Sequence, residues 1–190
     1  MPLPGDRLVR LNHASAASVA AWFGELLARG VTWDRVGTVN LVPIPHAACN
    51  LDAHVPPKTL RLAEALRDAL APGQATVMDL LRWGEVIPQA HLAGGTRDPQ
   101  ELYSLLRLTR RHLPEHLPQL VLVDDVFASG GHLRAAAAFL RDCGARVPMA
   151  VCAGRADGTN SPVDRPFSIR TDVLPEFVAD PDWLLPFTSV

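Results

Sequence analysis

The stretch of this chain richest in reactive groups runs from Leu120 to Leu133 and reads L-V-L-V-D-D-V-F-A-S-G-G-H-L. Its four leading apolar residues do not alternate with polar ones, which predicts a strand buried on both faces, as in a parallel sheet. Two adjacent carboxylates, Asp124 and Asp125, close that run, and a Ser-Gly-Gly turn follows. Gly131 to Asp142 then reads as an Ala-rich helix stopped at Gly144. In an open α/β sheet, ligands sit beyond the carboxyl ends of the strands. A helix start offers unbonded N–H groups and the positive end of its dipole, which suit a phosphate. Glycines let the backbone come close to an anion. The loop can therefore hold a phosphate while the two carboxylates hold hydroxyls nearby. A phosphorylated sugar matches that layout.

Such a loop needs a sheet to present it, and the rest of the chain supplies alternating helical and strand-like segments. Ser15 to Ala28 reads as an amphipathic helix, with Val19, Trp22, Phe23, Leu26 and Leu27 on one face and Gly30 as its stop. Val36 to Ile44 is an apolar strand that runs into a turn at Pro43 and Pro45. Pro57 to Leu70 is helical, with Leu60, Ala63, Leu66 and Leu70 at helical spacing and a proline near its start. Ala75 to Leu81 reads as a strand, Arg82 to Thr96 as a polar, Gly-rich segment, and Pro99 to His112 as a charged helix. Val147 to Ala153 is the next strand, Gly154 to Pro166 a loop, and Phe167 to Val190 a proline-rich tail. The pattern defines an α/β fold: a mostly parallel sheet with helices on both faces.

The acidic loop resembles the signature of type I phosphoribosyltransferases: an apolar strand, two acidic residues, and a hydroxyl- and glycine-containing turn. A larger part of the chain, about Val36 to Arg155, is similar to the ComF-like subgroup of that family. Val39-Asn40-Leu41-Val42-Pro43-Ile44-Pro45-His46 looks like the subgroup's first strand and Pro-x-Pro turn. Arg82, Pro88-Gln89 and Arg97 look like its hood segment. The resemblance implies a phosphoribosyltransferase-like, Rossmann-like domain over residues 1–190, with a hood at about 82–96 and a C-terminal extension at about 156–190. It implies Mg²⁺-dependent transfer of a phosphoribosyl group from phosphoribosyl pyrophosphate to a base or amine. Asp124 and Asp125 would then bind the ribose hydroxyls and meet Mg²⁺ indirectly, through those hydroxyls or water. Ala128, Ser129, Gly130, Gly131 and His132 would wrap the 5′-phosphate. His46, Lys58 and Arg61 stand on the pyrophosphate side, and Arg82, Gln89 and Arg97 in the hood. Phe127 and Trp183 are the candidates for contact with the base, with Phe177 open between that role and packing. The chain departs from the pattern in four places. Ala128 and His132 replace hydroxyl residues, the subgroup's N-terminal zinc ribbon is absent, and Ala47 to His54 holds no Lys or Arg. These departures motivate an alternative, a catalytically weakened nucleotide- or phosphoribosyl-pyrophosphate-binding regulatory or DNA-uptake-associated protein.

Composition narrows the field further. Of the 190 residues 48% are hydrophobic and 20% charged, which is the balance of a globular chain with a real core. A net charge of −2 without a basic block argues against a duplex-binding surface and a membrane-surface anchor. No apolar run reaches the ~18 residues of a membrane span, and the N-terminus lacks the basic start and apolar core of a secretory signal. Cys49, Cys143 and Cys152 are widely spaced, so a cytoplasmic protein without a disulfide framework is expected. The expected partners are phosphoribosyl pyrophosphate or a nucleotide, with a second copy of the chain left open. Two simpler accounts compete for the acidic pair. One is the acidic pocket of a response-regulator receiver, which needs a longer chain than the 65 residues after Asp125. The other is a solvated strand end or helix cap. Arg107, Arg110 and Arg111 read as solvated helix positions, and Trp22 and Trp33 as core. His112 and His116 span Pro114, which breaks the helix that would align them as metal ligands.

Overall fold

Two short apolar runs, Val39–Pro43 (β1) and Gln119–Phe127 (β5), form the middle of a parallel sheet. The computed structural model describes residues 16–87, 96–156, 173, 175 and 177–179. Among the described residues this sheet has four strands in the order β2-β1-β5-β6, with β2 at Ala75–Val77 and β6 at Met149–Arg155. All its pairings are parallel. Every residue of β1 and the run Leu120–Val123 of β5 is buried, because both strands are covered on both faces. Pro43 is tolerated in this central strand because its missing N–H would face β2, which has already ended opposite Leu41.

The alternation of side chains divides the core in two. Val39, Leu41, Val121, Val123 and Val151 face one side, where they meet Leu62, Ala63 and Leu66 of α2 (Leu60–Ala69) and Leu27 of α1 (Ala16–Gly30). Val42, Leu120 and Leu122 face the other, against Leu133, Ala136 and Leu140 of α4 (Gly131–Asp142) and Leu102 of α3 (Pro99–Leu105). From β1 the chain crosses through α2 to β2 on one side, and from β5 through α4 to β6 on the other. Crossovers of one hand made in opposite directions put their helices on opposite faces, where α2 and α4 lie. Trp33 is buried in the single-turn helix Trp33–Arg35 and donates its indole N–H to the Leu27 carbonyl at 3.2 Å. Trp22 is half-buried and sits edge-on to Phe23.

Three expectations are corrected. The single strand over Ala75 to Leu81 is two strands in different sheets: β2 ends at Val77, and β3 (Leu81–Trp83) pairs antiparallel with β4 (Leu106–Leu108). The helix expected over Pro99 to His112 stops at Leu105, because pairing with β3 and burial of Leu106 outweigh its helical propensity. The polar segment from Arg82 therefore begins inside β3, and its antiparallel partner lies beyond Thr96. The strand expected to end in the two carboxylates instead continues past Asp124 and Asp125 to Phe127. Gln89 and the rest of 88–95, Trp183, and most of the tail lie outside the described residues.

Candidate functional site

β1 and β5 are neighbours whose chains leave in opposite directions, so a crevice opens between the loops at their carboxyl ends. The acidic pair stands at a step in this sheet. β1 stops with Pro43 opposite Val123, whereas β6 still pairs with Asp124 through Cys152. The carboxylates thus have β-structure on one side and the open crevice on the other. Asp125 is exposed and Asp124 half-buried. Asp125 donates its backbone N–H to the Asp124 carboxylate at 3.0 Å, and Val126 donates to the Asp125 carboxylate at 2.7 Å. Burial, and then the charge of Asp125, push the Asp124 carboxyl up to about 7. Burial and the same two carboxylates push the neighbouring Cys152 thiol up to about 12, so it stays protonated.

The turn after β5 is built by two glycines with different duties. Gly130 caps α4 in the left-handed region at φ 76°, which an L side chain adopts at a cost of roughly 1–2 kcal/mol. Gly131 is packed: a Cβ there would lie 2.1 Å from the Arg97 carbonyl oxygen. The backbone at Arg97 therefore rests directly on the start of α4. Arg134 donates the first intrahelical bond, to the Gly130 carbonyl at 2.9 Å, so the N–H groups ahead of it have no helical acceptor. Ser129 Oγ accepts a long bond of 3.4 Å from Gly131 N–H. His132 is half-buried in the first turn, edge-on to the Trp83 ring at 5.7 Å. Burial, then the Arg97 charge, hold its imidazole below the usual histidine value, with Asp125 opposing. His132 is thus neutral at pH 7 and offers a hydrogen bond rather than a charge.

On the β1 side, Thr59 Oγ donates to the Ile44 carbonyl at 2.8 Å and ties the Pro-x-Pro turn to the start of α2. His46 follows that turn. Burial and the charges of Lys58 and Arg82 lower its imidazole, against Asp125. His46 thus stands within electrostatic reach of Lys58, Arg82 and Asp125. Charge interactions link His46 with Lys58, Arg82 and Asp125, and His132 with Arg97 and Asp125, while Asp124 and the loop Ala128–His132 adjoin Asp125 along the chain. The structure does not bring Arg61 to them: that residue lines the surface groove between α1 and α2 with Ala17, Ala20 and Glu64. Lys58 lies in the turn ahead of α2, whereas Arg61 is in its first turn, on the face towards α1. Arg82 is present but engaged, its guanidinium gripping both carboxylate oxygens of Asp79 and donating to the Leu81 carbonyl at 2.8 Å.

Phe127 is the register partner of Arg155, whose guanidinium lies over its ring at 5.3 Å from the centroid. Phe177 lies near Tyr103 at 6.3 Å and beneath the Arg134 guanidinium at 5.9 Å. Sequence reasoning missed Arg155, Cys152 and Trp83 as members or supports of this region. Register between β5 and β6 places the first two, and no local motif announces it.

The chain matches no protein-family model, and no curated protein matches it in sequence. Solved structures similar to it include a hypoxanthine-guanine phosphoribosyltransferase from Bacillus anthracis, at 9% identity over 92% of this chain and 83% of that one, with a TM-score of 0.43. A hypoxanthine phosphoribosyltransferase from Trypanosoma cruzi is 13% identical over 78% of this chain and 72% of that one, with a TM-score of 0.41. An HGPRT-ase from Leishmania tarentolae in complex with GMP is 15% identical over 90% and 80%, with a TM-score of 0.37. Likeness at this level carries no functional assignment, and the fold class rests on the strand order itself.

Proposed function

We propose that this chain is a phosphoribosyltransferase that moves the phosphoribosyl group of phosphoribosyl pyrophosphate to a nitrogen of a base or amine, within a single domain over residues 1–190. The observation that carries the reading is one juxtaposition. A carboxylate pair, a glycine-built helix start and a histidine–lysine rim meet in the crevice where the strand order reverses. Each part suits one part of the donor. The N–H groups from Ala128 to His132 suit the 5′-phosphate. Asp124 and Asp125 suit the 2′ and 3′ hydroxyls as acceptors. His46 and Lys58 suit the pyrophosphate. In the reaction the C1′–O bond to pyrophosphate breaks, a C1′–N bond forms, and the acceptor nitrogen loses a proton to water. The sugar is cation-like in between, so orientation and fixed charge do most of the work.

The donor chemistry fits Mg²⁺, a hard cation that keeps waters and takes one or two carboxylates plus substrate phosphates. Asp124 and Asp125 would reach the ion through water or ribose hydroxyls, and its charge would neutralise the pyrophosphate. Phe127, with the Arg155 guanidinium over its ring, is a flat surface for an acceptor ring.

A second reading, a binding protein that senses nucleotide or phosphoribosyl pyrophosphate, draws on two observations. The loop from Ala47 to His54 carries no Lys or Arg, and the guanidinium of Arg82 is occupied by Asp79. Calorimetric titration separates the readings. An enzyme binds phosphoribosyl pyrophosphate in a Mg²⁺-dependent manner and turns it over with some base. A sensor binds nucleoside monophosphate without turnover. The double variant Asp124→Ala/Asp125→Ala should lose sugar-phosphate binding while keeping its fold, and unchanged binding in that variant would sink both readings.

A further inference from the structure

We infer that Trp83 is the positioning residue that couples the two halves of this site, holding the loop on the pyrophosphate side and the helix start on the phosphate side in one register. The inference rests on the donor site proposed above. Trp83 lies in β3 and is 1% exposed. Its backbone clasps the loop after β1 like a short strand. Trp83 N–H donates to the Cys49 carbonyl at 3.0 Å, and Leu51 N–H donates to the Trp83 carbonyl at 3.0 Å. Its indole N–H donates to the His46 carbonyl at 3.1 Å, an oxygen that also accepts from Cys49 N–H at 2.8 Å. The opposite partner of the same ring is His132, met edge-on in the first turn of α4.

The loop so held is locked internally as well. Ala53 N–H donates to Asn50 Oδ1 at 2.7 Å, and Cys49 Sγ donates to the Val55 carbonyl at 3.2 Å. Because Ala47 to His54 has no Lys or Arg, any grip on a pyrophosphate there must come from correctly aimed N–H groups and from His46. Aim matters more for dipoles than for flexible cationic side chains. A residue that fixes the His46 carbonyl therefore sets the pyrophosphate half, and its ring fixes His132 in the phosphate half.

The test splits these two arms. Ribose 5-phosphate engages only the phosphate loop and the carboxylates, whereas phosphoribosyl pyrophosphate engages both halves. Trp83→Phe keeps the ring edge and removes the N–H. It should weaken phosphoribosyl pyrophosphate roughly tenfold, the size of one lost hydrogen bond, and leave ribose 5-phosphate nearly unchanged. Equal loss for both ligands, or none for either, overturns the inference. Binding of neither ligand by the wild-type chain instead removes the donor site itself, and the inference with it. Amide hydrogen exchange on the wild-type protein asks the same question without a variant. Ribose 5-phosphate should slow exchange at Cys49, Leu51 and Trp83, and unchanged rates there with saturated ligand overturn the coupling.

Discussion

At the scale of single residues, Asp124 is the side chain whose surroundings say most. Its carboxyl is pushed from 3.8 up to about 7 by burial and by Asp125. The sign follows from linkage: the folded chain holds this proton more tightly than the unfolded chain. The ionisation penalty is small below pH 4, grows as pH rises through the interval, and is complete above about 7. Asp124→Asn removes that penalty. Its stability gain over wild type should be near zero at pH 4 and reach a few kcal/mol at most by pH 8, given about 1.36 kcal/mol per unit. Urea denaturation at the two pH values checks this, and a gain of the same size at both would show that burial of Asp124 is not the cause. The identity and neighbours of this pair were legible in the sequence, since four apolar residues, two carboxylates and a glycine turn stand in a row. Its environment was not. The step between β1 and β6 that buries Asp124 more than Asp125 depends on where two other strands stop.

Elements were legible where their own periodicity was strong and illegible where a distant partner decided. Helices α1, α2 and α4 and strands β1, β5 and β6 lie close to where spacing and glycine stops predict them. Leu106-Arg107-Leu108 continues a helical pattern in sequence, yet it forms a strand because Leu81-Arg82-Trp83 lies beside it. The join between elements is similarly hidden: nothing near Gly131 in sequence points to Arg97, whose carbonyl occupies the place of a Cβ. Gly131→Ala forces that backbone contact apart. The expected cost is about 1–3 kcal/mol, the usual range for overpacking, measurable as a lower urea midpoint with unchanged slope. The same shift moves the helix start away from the Arg97 backbone, so ribose 5-phosphate affinity should fall with it. A stable Gly131→Ala protein with full affinity would show that the Arg97 backbone is not fixed against α4. Tyr103 adds a second tie between these elements, its hydroxyl donating to Asp142 at 2.6 Å from α3 to the end of α4.

The whole sheet acts as the frame that holds the crevice open, and this gives a prediction about independence. Leu120 is fully buried at the end of β5 away from the crevice, packed with the α4 side of the core. It precedes Asp124 by four strand positions, roughly 13 Å at 3.3 Å per residue. Leu120→Ala should cost about 2–5 kcal/mol through lost burial and the cavity left behind. At that separation, effects on stability and on binding should add. Phosphoribosyl pyrophosphate at a hundred times its dissociation constant should then stabilise wild type and Leu120→Ala alike, by about 2.7 kcal/mol. The double variant Asp124→Ala/Asp125→Ala should gain nothing from the ligand despite an intact core. Chemical denaturation of the three proteins with and without ligand measures both quantities. If Leu120→Ala loses the ligand's stabilisation as well, the crevice is shaped by the packing of the entire sheet rather than by the loops at its carboxyl end. The acidic pair would then report on the fold as much as on the ligand.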